Sequence, residues 1–367
     1  DGNGGSGGTL ILAITNAFDI NGNILARGGT GKTGNCAADN GNRGNGGSVN
    51  ITNRNALAIS GDIDASPGEV GQCIDAGVYK KSEIYAQKIN GTNVKIAGII
   101  NASNITITGI YGPDDNANEI GTARNLGQNL TIKADILNIT ASGKIKGIGR
   151  SLSATQVSFA GAGATINITA VTFYFDGNIS LDGGDHLGGN NDGGGGNAGT
   201  VIIDVTNSFN INGNIFAIGG TGRGNTCGAV DGNRGNGGTI TILGKNNATI
   251  NGNITTVRGE VGFCNNGDGK PITINASNVL NISSTIRINS TGNLSGDITL
   301  KGSSVDIRGV LDAQNLTLTP NSRRNGTILI EFNNSLAIGS LTTTPSPQIA
   351  RFNEFGRLRF KNNIASF

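Results

Sequence analysis

The chain has 367 residues, of which 62 are Gly; Met and Trp are absent and aromatics make up 4%. That is too much Gly for an ordinary packed domain, yet it follows no triplet period, so collagen is excluded, and the periodic branched residues exclude a disordered chain. The 27 basic and 25 acidic residues are dispersed and aromatics are few, so the basic stripe and stacking platforms that nucleic acid requires are missing.

The first predicted element, Thr9–Ile14, alternates apolar and polar residues, as a strand with one buried face does. Ile20-Asn21-Gly22-Asn23-Ile24 follows, a branched residue on either side of a central Gly. Alternating segments recur at Ser48–Ile51, Leu130–Ile132, Ala164–Ile168 and Thr239–Ile242. The Gly motif recurs at Ile59–Ile63, Ile96–Ile100, Phe175–Ile179, Ile211–Ile215, Ile250–Ile254 and Ile307–Leu311. Ile282–Ile286 is a weaker copy with Ser284 at its centre. Gly-rich stretches at 28–47, 183–199 and 219–238 lie between the strands. No window carries a capped helical pattern, and no apolar run approaches the roughly 20 residues of a membrane-spanning helix.

A much larger repeat contains these elements. Asp1–Cys73 lies over Asp192–Cys264 without a gap. Phe18-Asp19-Ile20-Asn21-Gly22 becomes Phe209-Asn210-Ile211-Asn212-Gly213, and Gly41–Gly47 becomes Gly232–Gly238. Such a repeat implies stacking rather than one globular core. The expected fold is all-β, a right-handed parallel β-helix with projecting Gly/Asn-rich loops. Each coil would hold a strand, a corner such as Asn16-Ala17 or Asn207-Ser208, a second strand carrying the Gly motif, and a return loop. Residues 1–191 and 192–344 form two units of a continuous solenoid. Residues 345–367 form a Phe-rich strand or cap after the break at Thr344-Pro345-Ser346-Pro347. Asp1 falls in mid-repeat, which suggests a processed or truncated start.

Four cysteines occur as two equally spaced pairs. The repeat selects the disulfides Cys36–Cys73 and Cys227–Cys264 from three connectivities, each contributing about 4 kcal/mol in the chain-entropy model. Free buried thiols are the alternative; zinc is disfavoured because CxxC spacing is missing and His186 is the single His. Disulfides imply an oxidising, extracellular or cell-surface location. Arg43 with Glu69, repeated as Arg234 with Glu260, would place an ion pair beside each bridge, or stand as independent solvated charges.

A hydrolase or lyase needs converging carboxylates. Asp62 and Asp64 alternate on one strand, but their counterparts are Asn253 and Thr255. No catalytic residue is assigned and the chain is expected not to be an enzyme. Asp182, Asp185 and Asp192 sit in a Gly/Asn-rich loop, a weak calcium candidate against a plain loop in which polar side chains replace backbone partners. No other metal or cofactor is expected. Asn-x-Ser/Thr sequons recur at Asn50, Asn104, Asn129, Asn167, Asn253 and Asn281. Most reflect the way an outward-polar strand is written, and a few exposed ones are glycosylation candidates.

Gly47-Ser48-Val49-Asn50-Ile51-Thr52, followed by Ala58–Ala65, resembles in repeat style the filamentous-haemagglutinin-like secreted β-helix adhesins and filament proteins. The resemblance implies a solenoid. The expected function is an extracellular structural protein, a β-helical subunit of a filament, fibre or surface adhesin. The alternative is a polysaccharide-binding or polysaccharide-degrading β-helix protein. The expected partners are identical subunits joined head to tail, with cell-surface or matrix glycans besides. One end of that contact would be Thr9, Leu10 and Leu12; the other would be Phe352, Phe355, Leu358, Phe360 and Phe367. A strand edge needs such a partner for its unpaired N–H and C=O groups. Neither nucleic acid nor a membrane-spanning segment is expected.

Overall fold

The computed structural model describes residues 3–31, 44–53, 57–68, 80–113, 129–149, 151, 159–186, 193–223, 232–259, 269–283, 285–289, 297–302, 304–307, 310–320, 327–332, 336–343, 350–354 and 358–360. Side chains are described up to residue 283 and at Leu300. Every described element is a strand, and the strands pair in parallel as a β-solenoid, a parallel β-helix. No helix among the described residues is long and apolar enough to cross a membrane.

Each coil runs across three faces. On the first face, Thr9–Ala13 pairs with Ser48–Thr52, which pairs with Lys81–Ile89. On the second, Phe18–Ile20 pairs with Leu57–Ile59. On the third, Ile24–Leu25 pairs with Ile63–Asp64. The same three-way succession continues to Leu336–Thr343, Ala350–Glu354 and Leu358–Phe360. Pairing also crosses the repeat boundary, since Thr165–Ala170 takes Thr200–Val205 as its neighbour.

Alternation decides which side chains enter the core. On the first face one inward column reads Ile51, Ile84, Ile100, Ile132, Ile168, Ile203, Ile242, Ile274 and Leu300, in register from coil to coil. All are buried. Each such burial contributes about 1.5–3 kcal/mol. A slip of one residue would turn the whole column outward, so the register is strongly specified. The third-face column contains an exception: Tyr111 stands between Val94 and Ile145. Its ring is fully buried, and its hydroxyl donates to the Gly91 carbonyl at 2.9 Å. Burial pushes its phenol well above the usual range, with a smaller contribution from Asp62.

The Gly motif lies at the corner between the second and third faces rather than inside a second strand. In the first coil the strands end at Ile20 and resume at Ile24, with Gly22 between. The glycines of successive coils stack here. A Cβ on Gly61 would strike the Gly22 carbonyl, and one on Gly91 the Gly61 carbonyl. Gly177, Gly213 and Gly252 stand in the same relation to Gly143, Gly177 and Gly213. Gly98, from the motif at Ile96–Ile100, belongs elsewhere. It sits within the first-face strand Ala97–Ile107, with φ of 125° and its Cβ position against Ser82. Gly91 and Gly143 occupy the corner column instead, reached through turns too long for the motif.

The other corners differ. Lys81–Ile89, Ala97–Ile107, Asn129–Ile139 and Thr165–Phe175 run unbroken from the first face to the second. The longest connections, such as 26–47, 65–80, 147–164, 181–199 and 217–238, leave from the third face and return to the first, whereas 321–326 and 344–349 join the first face to the second. Near Val94–Lys95 the third-to-first connection shrinks to Ile96, before Ala97–Ile107, and Val310–Pro320 and Leu336–Thr343 run unbroken from the third face to the first.

The repeat supplies a controlled test of the glycine column. Gly22 and Gly213 are equivalent in sequence, but a Cβ on Gly22 would meet nothing within 4 Å. Gly213→Ala should cost about 1–3 kcal/mol through backbone displacement. Gly22→Ala should stay within about 0.5 kcal/mol. Thermal unfolding of both variants checks the difference.

Candidate functional site

The third-to-first corner carries most of the chain's unusual sequence, and its glycines are packed in two layers. One layer holds segments leaving the third face, such as 26–29, 181–184 and 217–222. The other holds segments returning to the first face, such as 4–8, 44–47, 193–199 and 233–238. Between layers, Gly184 donates to Gly161, Gly196 to Gly184, Gly220 to Gly196, Gly235 to Gly220 and Gly259 to Gly235, at 2.8–3.0 Å. Within layers, Gly183 donates to Ile218 at 2.8 Å, Gly195 to Asn233 at 2.9 Å and Gly219 to Val257 at 2.8 Å. The first copy repeats the arrangement, with Gly29 donating to Gly5, Gly44 to Gly29 and Gly68 to Gly44.

Crowding in the returning layer recurs every third residue. A Cβ on Gly196 would meet the Gly161 carbonyl, and one on Gly199 the Ala164 carbonyl. Gly235 and Gly238 stand likewise against Gly196 and Gly199. Three residues per turn is the polyproline-II repeat, whose backbone bonds to neighbouring chains rather than to itself. A pleated sheet bonds in one plane; these segments bond in two directions, which leaves no room for a Cβ at the crowded positions, while Asn197 and Asn236 fit between them.

Asp182 and Asp185 brace this bundle. Asp182 Oδ1 accepts the Ile218 N–H at 2.8 Å, and Asp185 Oδ1 accepts the Thr221 N–H at 2.7 Å. Ser151 Oγ accepts the Asp185 N–H at 3.0 Å. These carboxylates therefore stand in for carbonyls of the neighbouring coil. Burial pushes the Asp182 carboxyl above its usual range; the Ile218 N–H opposes this and Asp185 adds to it. His186 is buried beside them, its ring filling the space that a Cβ on Gly193 would need. Among the described residues no three His, Cys, Asp or Glu side chains group as metal ligands. Asp192 lies outside the described residues.

So do Cys36, Cys73, Cys227 and Cys264, and Arg43, Glu69 and Glu260 of the ion-pair candidates. Asp62 and Asp64 are engaged in coil stacking. Asp62 accepts the Asn93 N–H at 2.8 Å and its side-chain amide at 3.1 Å. Asp64 pairs with Arg27 at 3.3 Å and accepts the Ser66 N–H at 3.0 Å. Of the sequon residues, Asn104, Asn129 and Asn253 are exposed, while Asn50, Asn167 and Asn281 are half-buried. Asn50 Oδ1 also accepts the Glu83 N–H at 3.2 Å.

Of the proposed contact residues, Leu10 and Leu12 are half-buried against the core, whereas their counterparts Val201 and Ile203 are fully buried. Thr9 shares their strand. Phe352, Leu358 and Phe360 lie on strands that pair with Thr327–Phe332 and Leu336–Thr343 of the same chain. Phe355 and Phe367 lie outside the described residues.

A groove on the second face was not anticipated from the sequence. Thr165–Phe175 pairs with Thr200–Val205 as far as Ala170↔Val205, and resumes at Tyr174↔Asn210. Three residues on one strand, Val171–Phe173, thus face four on the other, Thr206–Phe209. The extra residue is a bulge that interrupts the ladder between the two coils. The result is a groove of about 290 Å³ bordered by Thr172, Tyr174 and Asp176 on one coil and Ser208, Asn210 and Asn212 on the next. Phe173, Phe175 and Phe209 lie beneath it, with Phe173 and Phe175 stacked at 5.6 Å.

No family model, curated protein or solved structure matches the chain.

The raised Asp182 carboxyl gives a pH test. Its contribution to stability is fully present below the ordinary aspartate value of 3.8 and is lost as pH rises through its raised folded value. Asp182→Asn keeps an acceptor for Ile218 but removes the charge. The stability of the parent protein should therefore fall relative to Asp182→Asn as pH climbs above 3.8, then level off. Parallel unfolding curves for both proteins across that range read the difference.

Proposed function

We propose that this chain is an extracellular structural protein, a β-helical rod that serves as the subunit of a filament, fibre or surface adhesin. The observation that carries this reading is axial continuity. Each coil bonds to the next by backbone on three faces, and the glycine corner adds a fourth strip. Side chains extend the same connection. Asp176 Oδ1 accepts from Asn212 at 2.8 Å, Asn212 Oδ1 from Asn251 at 2.8 Å, and Asn251 Oδ1 from Ser283 at 2.6 Å. A load along the axis is shared among all these bonds, which suits a spacer or fibre. The matched cysteine spacing supports an extracellular setting. Asp62 and Asp64, the acids most suggestive of catalysis, are held by Asn93 and Arg27 in adjacent coils, and Asp64 also accepts the Ser66 N–H of its own turn.

The reading includes head-to-tail association of identical subunits, an unlike-surface contact that propagates as an open filament. Negative-stain micrographs of the purified protein should show straight rods of uniform width, with end-to-end multiples as concentration rises. Rounded particles would overturn the rod reading, and rods of one length at every concentration would overturn the head-to-tail contact. Depolymerisation of a polysaccharide, abolished by Asp62→Asn, would replace the structural role with an enzymatic one.

A further inference from the structure

The second-face groove has a chemistry that stacking uses only in part. Tyr174 is 57% exposed although it lies between two buried phenylalanines. Its outward position aligns with Asn138 on the preceding coil and Asn210 on the following one. Alternate residues on a strand are about 6.8 Å apart and neighbouring strands about 4.8 Å, so the six border side chains enclose a strip roughly 14 Å long. At one end, Asp176 Oδ1 takes the Asn212 amide at 2.8 Å, which orients both groups. At the other, Thr172 Oγ1 accepts from Asn207 at 3.1 Å. The second Asp176 oxygen, the Tyr174 and Ser208 hydroxyls and the Asn210 amide make no hydrogen bond to other described residues. The groove thus offers an aromatic face, an acceptor-only carboxylate, an amide and hydroxyls that both donate and accept.

We infer that this groove binds a neutral pyranose unit of a glycan, with the ring lying on Tyr174 and its hydroxyls bonded by Asp176, Asn210 and Ser208. Three features select that ligand. An aromatic face pairs with the apolar C–H face of a sugar ring, and flanking polar groups fix its orientation. Vicinal hydroxyls donate to a carboxylate and exchange donor and acceptor roles with an amide. The border holds one acid and no cation, so an anionic sugar meets repulsion without compensation. The bulge at Thr206–Ser208 interrupts the ladder beside Tyr174, between the Asn207-to-Val171 bond and the Tyr174↔Asn210 pair. This inference is independent of the rod reading, since a rod functions with or without a glycan site.

Saturation-transfer NMR with cellotetraose, chitotetraose, mannotetraose and tetragalacturonate as probes tests it. At least one neutral tetrasaccharide should give transfer signals, with tetragalacturonate silent. Tyr174→Ala should weaken binding by about tenfold or more, and Asp176→Ala should weaken it as well. Tyr85→Ala, on the first face, should leave it unchanged. An unaltered thermal midpoint for Tyr174→Ala establishes that any loss is local. Silence of all three neutral probes, binding confined to tetragalacturonate, or full binding by Tyr174→Ala would overturn the site while leaving the rod micrographs unaffected.

Discussion

Close backbone-to-backbone approach between successive coils is the constraint on which the rest of this protein depends. At strand positions the approach is that of any parallel sheet, and side chains fit on either face. At two corners it is tighter. The Gly143–Gly177–Gly213–Gly252 column places each Cα against the preceding carbonyl, and the glycine corner does the same every third residue. The high Gly content is therefore a packing requirement more than a demand for left-handed backbone. Among the described glycines, positive φ is confined to Gly98, Gly112 and Gly232.

The core and the corners divide the energetic roles. Columns of Ile, Val and Leu supply the burial and fix the register. The corners bury little apolar surface and hold together by hydrogen bonds instead. Neighbouring backbone N–H and C=O groups satisfy one another there, and carboxylates such as Asp182 and Asp185 replace missing carbonyls. Such bonds contribute modestly when made and cost more when a buried group is left without its partner. The bundle is thus specific without being greasy, and its glycines are as constrained as core isoleucines.

Much of the fold is legible in the sequence because period-two alternation and the large repeat are both long-range signals. Thr9–Ala13, Ser48–Thr52 and Thr239–Gly244 form strands close to the alternating segments that announced them. The three-faced cross-section is less legible. Ile20-Asn21-Gly22-Asn23-Ile24 keeps alternating through its corner, so nothing local marks the bend. The same blindness admitted Gly98 and missed Gly91 and Gly143, whose place in the column depends on the coil below. The groove was hidden for a related reason. Its six residues come from two coils, and their alignment depends on a one-residue mismatch between Val171–Phe173 and Thr206–Phe209. Asp182 and Asp185 were visible as a pair, but only the neighbouring Ile218 and Thr221 N–H groups explain them.

The coil in which Ile96 alone joins the third face to the first has a wider meaning. It shows that a complete circuit needs no excursion at that corner, so the long connections elsewhere are additions to a minimal circuit. Length changes most at that corner, while the first-to-second corner varies over a narrower range, from an unbroken strand in Lys81–Ile89 to the six residues between Pro320 and Thr327. Duplication is restricted in the opposite way. Copying a segment preserves the structure when the copy closes a whole number of circuits, because any remainder would carry inward columns to another face. Asp1–Cys73 and Asp192–Cys264 satisfy that rule: Leu10 and Val201, like Ile20 and Ile211, occupy matching faces. A chain of this kind grows in discrete steps of whole turns, while its surface varies most along one seam.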